Sequence, residues 1–314
     1  MIRDDIFERA LIEPARDQQA NKLYIVSGYA SPAMVQTHFT KLDSLDLTVE
    51  INLIIGMAPL DAVNQINHFA FQSLMESTFK GRFFCSYVNK LPRVHSKVYS
   101  WFKDHIPVTG FVGSSNYTQV AFLGNNQLEV LQNDDPIECR NYYNELIPNA
   151  LFCTHNEASL LVHERRVQDL SDKAYRFNYA SSKLNKVTVS LLTSKGKMGL
   201  RSSLNWGQRE NRNKNQAYIP LVSKIASSDF FPPNAQHFTV LTDDDKTIIM
   251  TKAQGNGKAL HSPENNSILG EYFRNRLGLD SGAFVRLSDL VAYGRSDVTF
   301  YKIDDETYYM DFSV

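Results

Sequence analysis

The stretch Val94-His95-Ser96-Lys97-Val98-Tyr99, followed by Gly113-Ser114-Ser115-Asn116, decides how the first half of this 314-residue chain is read. In an extended backbone, alternation places His95 and Lys97 on one face and Val94, Ser96 and Val98 on the other. An imidazole and an ammonium so arranged can reach one phosphate. The Gly-Ser-Ser-Asn run follows the next expected strand, 108–113. Small residues there let an anion approach backbone N–H groups, and Asn116 adds a side-chain donor. Glu129 stands on a further expected strand, 128–132. His-x-Lys alone carries little information; the ordered set on successive strand ends carries much more.

Outward from this core, the first half alternates strands and helices. Strands are expected at 22–26, 47–55, 81–88 and 94–101, a loop with Gly28 and Pro32 after the first, and helices at 61–78 (Asp61 as N-cap) and 136–151. This pattern gives an α/β domain on a central mixed sheet flanked by helices. The second half carries short β-type runs at 187–192, 217–220, 238–241, 247–251, 284–287 and 298–303, with one helix at 267–277. It reads as a mainly β domain, a small barrel. The boundary falls between Val167 and Lys183, giving domains 1–175 and 183–314.

Composition sets the bounds. A content of 43% hydrophobic and 21% charged residues is ordinary for globular chains, and 314 residues suit two domains. No apolar run is long enough to span a bilayer, and the acidic start Met1-Ile2-Arg3-Asp4-Asp5 is unlike a secretory signal. Cys85, Cys139 and Cys153 are scattered and suggest neither disulfides nor a zinc site. The expectation is a cytoplasmic protein with no membrane partner. Net charge is −1, but the bases cluster: from Lys183 to Tyr218, Lys183, Lys186, Lys195, Lys197, Arg201, Arg209, Arg212 and Lys214 are opposed by the single acid Glu210. A solvated face is the plain reading of that run; a nucleic-acid surface is the other.

The motif His95-Ser96-Lys97 with Gly113-Ser114-Ser115-Asn116 resembles the half-site of the phospholipase D superfamily, which breaks phosphodiesters through a histidine nucleophile without metal. The resemblance implies catalytic roles for His95, Lys97, Asn116 and Glu129, with Ser114 and Ser115 at the phosphate and Glu129 fixing the histidine tautomer. None of the other seven histidines has Lys two positions on, so two chains are needed for one composite site. The superfamily often carries Asp five positions after the Lys; here that position is Phe102, which weakens a phospholipid substrate more than the chemistry.

Asn205-Trp206-Gly207-Gln208-Arg209, Asn215-Gln216-Ala217-Tyr218-Ile219-Pro220, Phe230-Phe231-Pro232, Leu269-Gly270-Glu271-Tyr272-Phe273-Arg274 and Tyr293-Gly294-Arg295 carry a second resemblance. In this order they are similar to the B3-like pseudobarrel of phospholipase-D-type, NgoFVII-like restriction endonucleases. The resemblance implies two DNA-gripping arms: Gln208, Arg209, Glu210, Arg212, Asn213 and Lys214 on one, Lys252, Gln254, Asn256 and Lys258 on the other. Arg pairs with guanine, Asn or Gln with adenine, and acids with cytosine, while other side chains touch only phosphate. Trp206, Tyr272 and Phe273 are read as core, and Arg274 and Arg276 as solvated helix residues.

The implied function is a sequence-directed, metal-independent restriction endonuclease acting on double-stranded DNA. The resemblance also implies a cognate methyltransferase and a helicase-like NTPase subunit. Any ATP or Mg²⁺ dependence enters through that subunit, because the chain itself has no Walker A motif and needs no cofactor. Two alternatives remain: a DNA-binding protein with a structural nuclease half, and a phosphodiesterase of another substrate. Asp244-Asp245-Lys246 matches part of a metal-dependent nuclease motif, but sits where a hairpin turn is expected.

Overall fold

The run Leu23-Tyr24-Ile25-Val26 is apolar throughout, as a strand covered on both faces requires, and it becomes the centre of a seven-stranded sheet. The structure is a computed structural model describing residues 1–61, 63–124, 127–163, 185–253 and 255–314. The chain divides into two compact units, Met1–Arg166 and Val167–Val314. The expected boundary between Val167 and Lys183 lies outside the described residues, as does Gln254.

The first unit holds β1 (Lys22–Ser27), β2 (Glu50–Ile55), β3 (Val63–Asn64), β4 (Phe83–Val88), β5 (Lys97–Lys103), β6 (Ile106–Gly113), β7 (Leu131–Asp134), β8 (Ala150–Phe152) and β9 (Val162–His163). Its main sheet has the order β7-β6-β5-β1-β2-β4-β8, while β3 and β9 pair separately. Strands β1, β2 and β4 run parallel; the rest of the main sheet is antiparallel to its neighbours. Even positions of β5 face helix Pro136–Leu146: Val98 clusters with Cys139 and Tyr143, and Ser100 donates to Pro136 O at 2.6 Å. Odd positions face the other way, where Trp101 Nε1 donates to Ala10 O at 2.8 Å. The sheet is therefore covered on both sides, and its loop ends are left for chemistry.

Several boundaries differ from the sequence reading. The segment after Gly28 is not all loop: helix Pro32–Asp43 begins there, with Ser31 Oγ accepting from Met34 N and Pro32 at the first helical position. Asp61 is not the expected N-cap. Asn64 caps helix Gln65–Ser73 through Ile66 N at 2.8 Å, while Asp61 ends a short helix, Ala58–Asp61. Helix Pro136–Leu146 stops before Pro148, which has no N–H to donate, and the chain re-enters the sheet as β8.

The second unit forms the expected pseudobarrel from β10 (Lys186–Ser190), β11 (Ile219–Pro220), β12 (His237–Thr242), β13 (Thr247–Ala253), β14 (Ala259–His261), β15 (Asp297–Lys302) and β16 (Thr307–Asp311). The order is β10-β15-β16-β12-β13-β14-β11, and β12 pairs parallel to β16. Phe231, Phe238, Phe300 and Tyr308 fill the middle. Helix Ser267–Arg276 packs on the barrel through Leu269, Tyr272 and Phe273. Gly270 is obligatory there, because a Cβ would lie 1.7 Å from Asn215 O. The expected strand at 284–287 is instead coil leading into helix Leu287–Tyr293.

Arg274 and Arg276 do not solvate their helix. Arg274 is fully buried, donating to Ala283 O, Gly270 O and Leu204 O at 2.8, 3.0 and 3.1 Å. Arg276 makes a two-pronged ion pair with Asp243, 2.7 Å on each prong. The Asp243–Lys246 turn joins β12 to β13, and Lys246 N donates to Thr242 Oγ1 at 3.0 Å, so the Asp-Asp-Lys run is hairpin chemistry.

Candidate active site and nucleic-acid surface

The parallel strands β1 and β2 end at Ser27 and Ile55, and the segment 94–96 crosses above those ends. Val94 N donates to Gly56 O at 3.1 Å, pinning the crossing. Ladder pairing starts only at Lys97, opposite Ser27, so His95 precedes the strand rather than lying on it. The expected alternation nevertheless extends backward: Val94 is buried, and Ser96 Oγ shares a hydrogen bond with Tyr142 OH at 2.8 Å. His95 is left exposed at the carboxyl ends of the parallel strands, the customary place for ligands in such sheets.

Lys97 is buried to 7% exposure, yet its Nζ reaches His95 O at 2.6 Å and stands 3.2 Å from both His95 ring nitrogens. Burial lowers its pKa, and the Glu129 carboxylate opposes that shift. An ammonium that is partly desolvated and touching an exposed imidazole is well placed to neutralise phosphoryl oxygens. Asn116 faces the same space. Its Oδ1 accepts from Tyr29 N at 3.2 Å, leaving the amide N–H₂ as the free donor end. Gly28 lines the floor, where a Cβ would stand 2.8 Å from His95 Cδ2 and 3.4 Å from Asn116 Oδ1.

The structure brings His95, Lys97 and Asn116 together and treats the other expected residues differently. Glu129 precedes β7; its carboxylate accepts from Ser114 Oγ and acts electrostatically on Lys97, without a hydrogen bond to His95 of its own chain. Ser114 Oγ is occupied, donating to Glu129 and accepting from Val130 N at 3.1 Å. Ser115 is fully buried, its carbonyl taken by Tyr99 OH at 2.6 Å. The Ser115 hydroxyl is buried without a hydrogen-bond partner among the described residues. Tyr29, which sequence reasoning missed, stands edge to face with His95 at a centroid distance of 5.8 Å. Among the described residues, no cluster of three or more His, Cys, Asp or Glu side chains is arranged to hold a metal ion.

In the second unit the basic arm is built on fixed points. Asn205, fully buried, donates to Gly199 O and Val285 O and accepts from Val285 N, tying the arm to the C-terminal segment. Gln208 donates to Gly282 O at 3.0 Å, and Arg212 lies over the Trp206 ring at 4.2 Å while donating to Gln216. Lys252 is buried and donates to Ala226 O at 3.2 Å. Gln208 and Lys252, expected at DNA, thus donate to backbone carbonyls of their own unit. Arg209, Glu210, Asn213, Lys214, Asn256 and Lys258 are exposed. Arg209 is the best formed of these. Its Nε donates to Arg201 O at 2.9 Å, which steadies the side chain and leaves the two terminal nitrogens as a fork.

Residues 4–160 match the NgoFVII restriction endonuclease N-terminal PLD domain, and residues 179–304 match the NgoFVII C-terminal B3-like DNA-binding domain. No curated protein matches the chain. Among solved structures, NucT from Helicobacter pylori is 16% identical over 45% of this chain and 94% of its own, with a TM-score of 0.31. Polyphosphate kinase from Porphyromonas gingivalis is 15% identical over 44% of this chain and 19% of its own, with a TM-score of 0.29. Among the described residues, no helix is long and apolar enough to cross a membrane. With half the chain matching the nuclease domain and most of the rest its DNA-binding partner domain, this chain belongs to the NgoFVII family of phospholipase-D-type restriction endonucleases.

Proposed function

We propose that this nuclease cleaves double-stranded DNA without a metal, through a phosphohistidine formed on His95 at a site completed by a second copy of the chain. The observation that carries the reading is the exposed His95 imidazole held against the Lys97 ammonium and beside the free donor end of Asn116. His95 of one protomer attacks phosphorus; the P–O bond breaks, and the leaving oxygen takes a proton from the partner's His95. Water then attacks the phosphorus, gives its proton to the partner's His95, and the P–N bond breaks. Lys97 and Asn116 of both copies neutralise the phosphoryl oxygens, the task a metal performs elsewhere. Glu129 acts on Lys97, whose charge it favours, and holds Ser114.

Two copies are needed because the chain supplies one His-x-Lys and the scheme uses an acid and a nucleophile. In the second unit, Arg209, Glu210, Asn213, Lys214, Asn256 and Lys258 form the proposed DNA-facing set, confining cleavage to chosen sequences. A methyltransferase and a helicase-like NTPase subunit, through which ATP and Mg²⁺ would act, are proposed as partners by analogy with the family. The test is plasmid cleavage in EDTA. Discrete fragments that vanish with His95→Ala support the reading. Cleavage that requires a divalent metal and survives His95→Ala overturns it. Specific binding with no cleavage under any condition favours a DNA-binding protein, and turnover of another phosphodiester without DNA binding favours a different hydrolase.

A further inference from the structure

An exposed nucleophilic imidazole needs something to hold its ring, and the described residues place no carboxylate of this chain on His95. The loop leaving β1 does the holding. Ser27 Oγ donates to Tyr29 O at 2.6 Å and accepts from Tyr117 N at 2.9 Å, locking the loop to the segment that carries Asn116. Gly56 N and Met57 N donate to Ser27 O and Gly28 O at 2.9 and 3.1 Å, locking it to the end of β2. Tyr29 then makes three contacts at once. Its N–H fixes Asn116, its ring meets the His95 ring at an interplanar angle of 78°, and its hydroxyl donates to the Asp61 carboxylate. Tyr29 is still 39% exposed, so burial alone does not explain an aromatic here.

We propose that Tyr29, braced by Asp61, is a positioning residue that sets the His95 ring for in-line attack; the inference rests on His95 being the nucleophile. Asp61 sits at the end of the short helix Ala58–Asp61 and accepts from the phenol hydroxyl, while the ring itself meets His95 edge to face. An edge-to-face aromatic contact biases a rotamer population by about two- to tenfold. Attack on phosphorus depends steeply on alignment, so the loss appears in the chemical step rather than in DNA affinity.

The experiment compares Tyr29→Ala, Tyr29→Phe and His95→Ala in the full chain, measuring kcat and KM separately on specific DNA. Histidine-labelled protein gives, in parallel, the His95 ring-proton shifts by NMR. Tyr29→Ala is expected to lower kcat about tenfold with KM within about twofold, and to move the His95 resonances as the ring current is lost. Tyr29→Phe keeps the ring and should retain kcat within about threefold, with His95 shifts close to the parent's. Specific DNA affinity and melting temperature, unchanged in both, exclude misfolding. If Tyr29→Ala cleaves within twofold of the parent while His95→Ala is inert, positioning by Tyr29 is overturned and the nucleophile stands. If His95→Ala itself cleaves normally, the nucleophile reading fails and the inference falls with it.

Discussion

Gly28→Ala isolates the geometry of the site from its stability. The added methyl would stand 2.8 Å from His95 Cδ2, where ordinary contact begins at 3.4 Å, so the imidazole must retreat by at least the difference, 0.6 Å. The backbone tolerates the change, since Gly28 is absent from the positive-φ positions. His95 is exposed and can swing toward solvent, so the steric cost is small, and it is offset by the ~0.4–1 kcal/mol that Gly→Ala gains through the unfolded state. Melting temperature should hardly move. Catalysis should suffer, because a misplacement of about 1 Å costs on the order of 100-fold. Scaled to 0.6 Å, the loss is about 15-fold; with full displacement it approaches ~100-fold, or ~1.6–2.7 kcal/mol in the barrier. The assay is single-turnover cleavage with DNA affinity and thermal unfolding measured alongside. A cleavage rate within about threefold of the parent would refute the reasoning, because Gly28 would then not bear on the reacting ring.

Three further outcomes are expected. Arg276→Met removes the cation paired with the Asp243 carboxylate, 3% exposed, leaving it the Phe312 N–H and the Tyr272 hydroxyl, and should destabilise the DNA-binding unit by ~3–5 kcal/mol, while Asp243→Asn added to it should restore part of the loss; denaturant titration checks both. Burial pushes His38, His68 and His237 down to about 4, so the unfolded chain, with ordinary imidazoles near 6.5, binds more protons below that pH. The stability these neutral rings hold above pH 6.5 is therefore lost progressively toward pH 4, by about 2 kcal/mol each at pH 5; equal unfolding midpoints at pH 7.5 and 5 would contradict this. Arg209→Ala should cost ~1–3 kcal/mol of specific affinity and relax one base position, whereas unchanged affinity and preference would remove Arg209 from the reading set.

What the sequence made legible was what local pattern encodes. Alternation through 94–99 placed His95 and Lys97 on one face, and the apolar run of β1 announced a covered strand. Hairpin turns, such as Asp243–Lys246, were equally plain. What stayed hidden depends on distant partners. Arg274 and Arg276 look like surface residues on a helix, but Leu204 O and Ala283 O wait for the first and Asp243 for the second, all outside that helix. Lys252 and Gln208 have the chemistry of DNA contacts, and backbone carbonyls claim them first. Tyr29 stands 66 positions before His95 in numbering and meets it only because β1 and β5 are neighbours in the sheet. The helix Pro32–Asp43 was missed although Ser31-Pro32 is a good start signal, because Gly28 and Pro32 together resembled a loop.

The central claim is that His95 itself takes the phosphoryl group. Labelled specific DNA should be mixed with the nuclease in EDTA, quenched in denaturing alkali within one turnover, and the protein mapped for a covalent adduct. The account predicts a DNA–phosphohistidine on His95 that rises and then decays as cleaved product accumulates, absent in His95→Ala. Product formation in EDTA with no adduct at any time, or cleavage only when a divalent metal is added, would contradict it.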